Sequence, residues 1–429
     1  MSAISGYPVA SAYRLTGVRE WPCATEFGLE ECVMVKRVAV FGVAMTLVAS
    51  LAAAQAPAAP GAPAPGAGRG GGRGGAPQLV SPEVHADGRI TLRYRAPNAT
   101  QVTASGELDG KPYPLTKDAE GVWSVTIGPL PPDIYTYAFN VDGVVALDPR
   151  NANTKFGYGN FGAVSIVQVP GNGPQYYDVK DVPHGEVRIR PYVSKTLGVG
   201  RTAWIYTPPG YEQGKDYPVM YLLHGAGDIE SGWTMIGRAN NILDNAIAEK
   251  RAVPMVVVMP LGYATQSFWA GPARNSATAA PQGPGALSLF AQDVLTDLMP
   301  MVERDYKVSR SAERRAIAGL SMGGGQTMNI AFNRPELFRY VVAMSPAAGA
   351  VTAANYPEIF KDPSKINSQF KLFWMAVGDN DTLTGPGDIK LSEAFKAAGI
   401  NHQFKQTPGR HEWTVWRQYL NETAALLFK

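Results

Sequence analysis

From about residue 185 onward, five short apolar runs recur along the chain: VMYLLHG (219–225), PMVVVMP (254–260), RRAIAGL (314–320), YVVAMSP (340–346) and KLFWMAVG (371–378). Each closes at or beside Gly or Pro. Runs this short that are apolar at every position read as strands buried on both faces, the signature of parallel pairing. Helical stretches separate them: NNILDNAIAEK, LSLFAQDVLTDLMPMVERDY, MGGGQTMNIAFNRP and KLSEAFKAAG, the last halted by Gly399. Strands alternating with helices in this way predict an α/β architecture, a mainly parallel sheet with helices on both faces. The stretch EVRIRPYVSKTLGVGRTAWIYTPPGY (186–211) reads as an antiparallel pair opening that sheet.

Residues 79–170 have a different rhythm. RITLRYRAP, QVTASGEL, GVWSVTIGPL, IYTYAFNVDG and FGAVSIVQVP alternate apolar with polar residues between Pro, Gly, Asn and Asp turns. That pattern predicts a small all-β, immunoglobulin-like sandwich, joined through a connection at 171–184 to an α/β region at 185–429. A length of 429 residues also exceeds what one core usually serves. Trp123, Tyr135, Tyr137 and Phe139 either stack on sugar rings or, the simpler reading, alternate into the sandwich core.

Upstream, residues 57–78 are Pro, Ala, Gly and Arg apart from a closing Gln. Such a segment buries too little apolar surface to offset its ordering entropy and is expected to be a disordered linker. Before it, Lys36 and Arg37, an apolar run from Val38 to about Leu51 and the small residues of Ala54-Gln55-Ala56 have the anatomy of a secretory signal peptide at 34–56. The apolar run is short for a membrane span. Export to the periplasm or the exterior is therefore expected, with no stable membrane span after cleavage, and residues 1–33 read as an over-extended start. Cys23 and Cys32 both precede Met34, so the mature chain would carry no cysteine and no thiolate metal site. A net charge of +3, with no basic stripe interleaved with aromatics, argues against nucleic acid.

The chemistry concentrates at Gly319-Leu320-Ser321-Met322-Gly323, a G-x-S-x-G pattern. Alone the match is weak. Here a predicted strand enters it and a predicted helix leaves it, as a nucleophile elbow requires. The serine hydroxyl needs a base to become a useful nucleophile. Of five histidines, His85 falls in the sandwich, His184 in the connection, His402 on a strand, and His224 upstream of the serine. His411, after the last predicted strand and at the start of the final helix, satisfies the chain order Ser…Asp…His. The orienting acid lies between them, where Asp379 and Asp381 both follow KLFWMAVG. An oxyanion stabiliser is supplied by the Met322 N–H at the helix start, with a second donor required.

With these residues assembled, the α/β region resembles carbohydrate esterase family one, the feruloyl and acetyl-xylan esterases, and the wider esterase D and enterochelin-esterase-like α/β hydrolases. The resemblance rests on YLLHGAGDIESGW, GRANNILDNAIAEKRAVPMVVVMPLGY, GLSMGGGQTMNIAFNRPELF, VGDNDTL and GRHEWTVWRQYL. The sandwich resembles the early-set, glycogen-recognition-like modules of carbohydrate-active enzymes. The family resemblance implies an acyl-serine mechanism without metal or organic cofactor, with Ser321 as nucleophile and His411 as base. Family spacing selects Asp381 as the acid and leaves Asp379 as a turn former. The second oxyanion donor becomes the Ala226 N–H, with Gly225 as the alternative, and His224 shapes that loop. Substrate residues are expected in the loop 263–285, with Phe268 and Trp269, and at Trp233 near the same mouth. The implied partner is an ester substrate, polysaccharide-linked in the feruloyl and acetyl members. An acyltransferase using the same triad and a non-catalytic glycan-binding protein are the alternatives.

Overall fold

A computed structural model describes residues 79–158, 162–265, 267 and 286–429 of the chain. The expected signal peptide, the Pro/Gly/Arg linker and both cysteines lie outside the described residues, as do Phe268 and Trp269.

The β-rich first part builds two antiparallel sheets. In one, β1 (Glu83–Val84), β2 (Ile90–Arg95) and β6 (Val122–Ile127) lie side by side, with β5 (Thr116–Lys117) at the far edge. In the other, β4 (Tyr113–Pro114), β3 (Val102–Gly106), β7 (Asp133–Val141), β10 (Val164–Val169) and β9 (Thr154–Lys155) follow in that order, and β8 (Val144–Ala146) hairpins onto β7. Ile90, Leu92 and Ile127 from the first sheet share a core with Val102, Ala104 and Val167 from the second. The alternation in the sequence is what sends these residues inward. Trp123, Tyr135, Tyr137 and Phe139 are all buried there, so the simpler reading of those aromatics is the one the structure adopts.

The second part is an eight-stranded sheet in the order β11-β12-β14-β13-β15-β16-β17-β18. The hairpin β11 (Glu186–Ser194) and β12 (Val199–Thr207) opens it, and β12 runs antiparallel to both its neighbours. From β13 (Val219–Leu223) and β14 (Val256–Pro260) through β15 (Arg315–Leu320), β16 (Tyr340–Met344), β17 (Leu372–Gly378) and β18 (Gln403–Thr407) all pairing is parallel. Each of the five apolar runs is a strand at its expected place. Because side chains alternate, Tyr221, Ile317, Val341 and Phe373 face one core while Met220, Ala318, Val342 and Trp374 face the other.

Helices cover both faces. Met328 and Ile330 of α5 (Met322–Asn333) and Phe395 of α8 (Gly385–Ala398) pack on one side. Ile242 and Leu243 of α2 (Ala239–Ala248), which follows the single turn α1 (Gly232–Met235), pack on the other with Val415, Trp416 and Tyr419 of α9 (Trp413–Ala424). The stretch 287–306 is not one regular helix. It runs α3 (Leu289–Asp293), a π-helical turn (Val294–Leu298) and α4 (Met299–Asp305). Pro300 explains this, since it lacks an N–H and its ring collides with the carbonyl four residues back. Two short helices, α6 (Pro357–Lys361) and α7 (Ser364–Asn367), bridge β16 and β17.

The described residues form one compact unit. Ile134 and Ile166 from the N-terminal sheets belong to the same core as Trp233, Trp413 and Trp416. Arg417 of α9 is fully buried at this seam, with Nη2 donating to Asp133 Oδ1 and to the Ile134 carbonyl, each at 2.6 Å.

Candidate active site

The C-terminal ends of the parallel strands bring three distant residues together. Ser321 stands between β15 and α5 at φ 51 and ψ −120, a conformation L residues rarely adopt. Strain of this kind, on the order of 1–3 kcal/mol, persists only where surroundings impose it. The surroundings here are backbone: the Ser321 N–H donates to Met344 O, and its carbonyl accepts from Ala347 N–H, both at 2.9 Å. The two motif glycines permit the tight turn. A Cβ on Gly319 would lie 2.4 Å from Gly323 backbone, and one on Gly323 would lie 2.6 Å from the Leu223 and His224 carbonyls.

His411 lies in the loop between β18 and α9, two residues before the helix starts rather than on its first turn. Its Nε2 is 2.9 Å from Ser321 Oγ and its Nδ1 is 2.7 Å from Asp381 Oδ2. The ring edges onto Trp416, centroids 4.9 Å apart. Asp381, in the loop after β17, is 4% exposed. Its Oδ1 accepts the Leu383 and Thr384 N–H groups at 3.0 and 2.9 Å, and its Oδ2 accepts the Thr384 hydroxyl at 3.0 Å. Burial alone would raise the Asp381 carboxyl; the His411 hydrogen bond and the Thr384 donors overcome it and hold the pKa at about 2. Asp381 is thus an anion facing the imidazole. Asp388 sits on the next turn. Burial, with the Asp381 charge beside it, pushes its carboxyl up to about 8 against a hydrogen bond from Thr384. Neighbouring acids set apart in this way leave only one of the two charged near neutral pH.

Asp379 does not reach the histidine. Its Oδ1 accepts from Asn380 Nδ2 at 2.8 Å and from the Gly409 N–H at 3.1 Å, the turn-forming contacts expected of it.

The loop after β13 supplies the opposite wall. His224 Nδ1–H donates to the Gly225 carbonyl at 2.8 Å, and its Nε2 accepts the Gly262 N–H at 2.8 Å. Burial pushes this imidazole's pKa down, so it stays neutral and braces the loop. Ala226 borders the same cavity as Ser321 and Met322, a space of about 1050 Å³ whose further lining includes Val351, Phe360 and Leu391. Met322 begins α5, so its N–H is among those a helix start leaves to other acceptors. Trp233 is a correction to expectation. It is 1% exposed, donates its indole N–H to the Leu223 carbonyl at 3.1 Å and packs edge-on against Trp413. A tryptophan in a loop after a strand carries no sequence mark that separates a pocket wall from a core plug.

Several supports had no motif to announce them. Lys155 of β9 pairs with Asp228, the Tyr158 N–H donates to the Gly227 carbonyl at 3.0 Å, and the Tyr158 ring stacks on Tyr263 at 3.9 Å. Thr384 is equally silent in sequence.

A strained serine at the strand–helix turn, hydrogen-bonded to an imidazole held by a buried carboxylate, is the arrangement of an ester-cleaving α/β hydrolase. The family model described as putative esterase matches residues 194–427, and the chain belongs to that family. An endo-1,4-beta-xylanase/feruloyl esterase of Xylanibacter ruminicola is 33% identical over 363 residues, 82% of this chain and 46% of that protein. Endo-1,4-beta-xylanase Y of Acetivibrio thermocellus is 27% identical over 52% of this chain and 21% of its own length. The chain therefore spans less than half the length of these two relatives. Among solved structures, a ferulic acid esterase from Anaeromyces mucronatus in complex with ferulic acid matches at 25% identity and a TM-score of 0.51, over 61% of this chain and 98% of its own. The enterochelin esterase from Shigella flexneri shares the fold at 18% identity and a TM-score of 0.60, over 80% of this chain and 92% of its own. That coverage exceeds what the α/β region alone could supply.

Proposed function

We propose that this chain is an exported serine carboxylesterase that removes ester-linked acyl groups, of the feruloyl or acetyl type, from plant polysaccharide or a related glycan. The observation that carries the reading is the unbroken series Ser321 Oγ, His411 Nε2, His411 Nδ1, Asp381 Oδ2, with 2.9 and 2.7 Å links. In this reading Ser321 attacks the ester carbonyl as His411 takes its proton. The Asp381 anion holds the Nδ1–H tautomer and stabilises the imidazolium. The Met322 and Ala226 N–H groups receive the developing oxyanion. His411 then returns the proton to the leaving alcohol, and water repeats the sequence on the acyl-serine.

The apolar cavity of about 1050 Å³ beside Ser321 supports a bulky aromatic acyl group over acetyl. The relatives' names point the same way, one being a xylanase/feruloyl esterase and another structure holding ferulic acid. Export rests on the Lys36–Arg37 start, the apolar run and Ala54-Gln55-Ala56. Among the described residues no helix is long and apolar enough to cross a membrane. The N-terminal sheets are read as an early-set-like sandwich, and the burial of their aromatics supports a bracing role over sugar stacking.

The test is acyl release by the full chain from feruloylated arabinoxylan and from acetylated xylan, with methyl ferulate as soluble control. Ferulate release at least about tenfold faster than acetate release is expected, the range a well-filled apolar pocket supplies. Acetate alone would reassign the acyl group. Transfer to an added alcohol in preference to water would make the protein an acyltransferase.

A further inference from the structure

The loop carrying His411 is flanked on both sides by contacts to one residue of the N-terminal sheets. Glu107, just past the end of β3, accepts the Trp413 N–H on its Oε1 at 2.9 Å, and Trp413 is the first residue of α9. Its own backbone carbonyl accepts from Arg410 Nη2 at 3.4 Å. Its second oxygen is held in turn, accepting the Thr136 hydroxyl at 3.0 Å and the Thr136 N–H at 3.3 Å. Arg410 and Trp413 bracket His411, whose ring also rests on Trp416 one turn into the same helix. Lost hydration raises the Glu107 carboxyl, and the Trp413 N–H and the Arg417 charge oppose that rise.

We propose that Glu107 is a positioning residue for ester hydrolysis: from the N-terminal sheets, its carboxyl oxygen pins the first N–H of α9 and so sets where His411 stands relative to Ser321. This rests on His411 being the base. Thr136 makes the brace stiff, because a carboxylate tied at one oxygen presents the other at a defined place. An imidazole displaced by about 1 Å costs on the order of 10²-fold in rate, so the brace acts on turnover rather than on substrate binding.

Two conservative variants separate reach from the number of acceptors. Glu107→Asp keeps both carboxyl oxygens and loses one methylene of reach; Glu107→Gln keeps the length but offers one acceptor oxygen where the carboxyl offers two, so its amide nitrogen faces either the Trp413 N–H or the Thr136 N–H. On a small soluble ester, with active sites counted by fluorophosphonate titration, Glu107→Asp is expected to lose about 10- to 100-fold in kcat with KM within about threefold of wild type. Glu107→Gln, which keeps the reach but only one side of the brace, is expected to lose about 3- to 10-fold in kcat. Wild-type kcat in folded Glu107→Asp overturns the proposal. If Glu107→Asp does not fold, the Gln variant decides: wild-type kcat in it overturns the brace. Ser321→Ala and His411→Ala run alongside. If those remain active the triad reading itself fails, whereas inactive triad variants beside a normal Glu107→Asp sink only the brace.

Discussion

The eight-stranded region and the N-terminal sheets contribute to the same site in opposite ways. Among the described residues, the groups proposed to touch a scissile ester, Ser321, His411, Met322 and Ala226, stand on loops at the carboxyl ends of parallel strands or at the start of the helix beyond. The N-terminal part of the chain places none of these groups beside Ser321, yet Glu107, Lys155 and Tyr158 contact the loops on which they stand, and Asp133 ties the body of α9 to the N-terminal sheets. Chemistry localises on short motifs because proton transfer works only at hydrogen-bond distance. Support spreads widely, because any side chain that fills the gap and satisfies the polar groups will serve. The comparison teaches that a region without a reacting atom can still belong to the active site.

Among the variants that compare the two regions, the largest expected effect tests the chemical side. Asp381→Asn keeps the shape but favours the wrong imidazole tautomer, and a fall of about 10⁴ in kcat is expected. Asp379→Asn, two residues away, should leave kcat largely intact and cost about 1 kcal/mol of stability. Steady-state kinetics on folded variants decides; a crippled Asp379→Asn beside an active Asp381→Asn would reverse the assignment.

Next comes the seam. Asp133→Ala removes the carboxylate hydrogen-bonded to a fully buried Arg417, leaving the guanidinium hydrogen-bonded only to the Ile236 and Ile134 carbonyls. A loss of about 3 kcal/mol in urea unfolding is expected, with kcat per titrated site unchanged. Loss of kcat without loss of stability would erase the distinction between gluing the regions together and positioning the base.

The smallest effect is electrostatic. Because the folded pKa of Asp381 lies near 2, below the ordinary carboxylate value, its contribution to stability is complete above about pH 4. It drains away as pH falls through 2, roughly 2 kcal/mol in all. Unfolding free energies between pH 5 and 2 should show this excess slope in the wild type and lose it in Asp381→Asn. Equal slopes would mean that the His411 and Thr384 contacts do not stabilise the anion.

Much of this was legible beforehand, and the reasons are specific. The five core strands stand out because strands buried on both faces are apolar at every position. Ser321 stands out because the turn tolerates only glycines on either side, and His411 because it follows the last strand. Asp381 over Asp379 required family spacing; alternation places both beyond the strand end, and only the loop's path decides which carboxylate turns inward. The π-turn at 294–298 follows from Pro300 but leaves no periodic trace. Trp233 misled because a tryptophan is equally at home in a pocket wall and in a core. Glu107 was invisible, one acid in a β-turn region, its meaning dependent on a helix some 300 positions further along.

The most direct test of the central claim is to trap the acyl-enzyme. Wild-type protein and Ser321→Ala are mixed briefly with methyl ferulate or a 4-nitrophenyl ester, quenched in acid, digested and mapped by mass spectrometry. The account predicts one acyl adduct, on the peptide carrying Ser321, absent from Ser321→Ala, whose turnover falls by up to about 10⁶. An adduct on another residue, or a Ser321→Ala variant keeping a tenth of wild-type turnover, would contradict it.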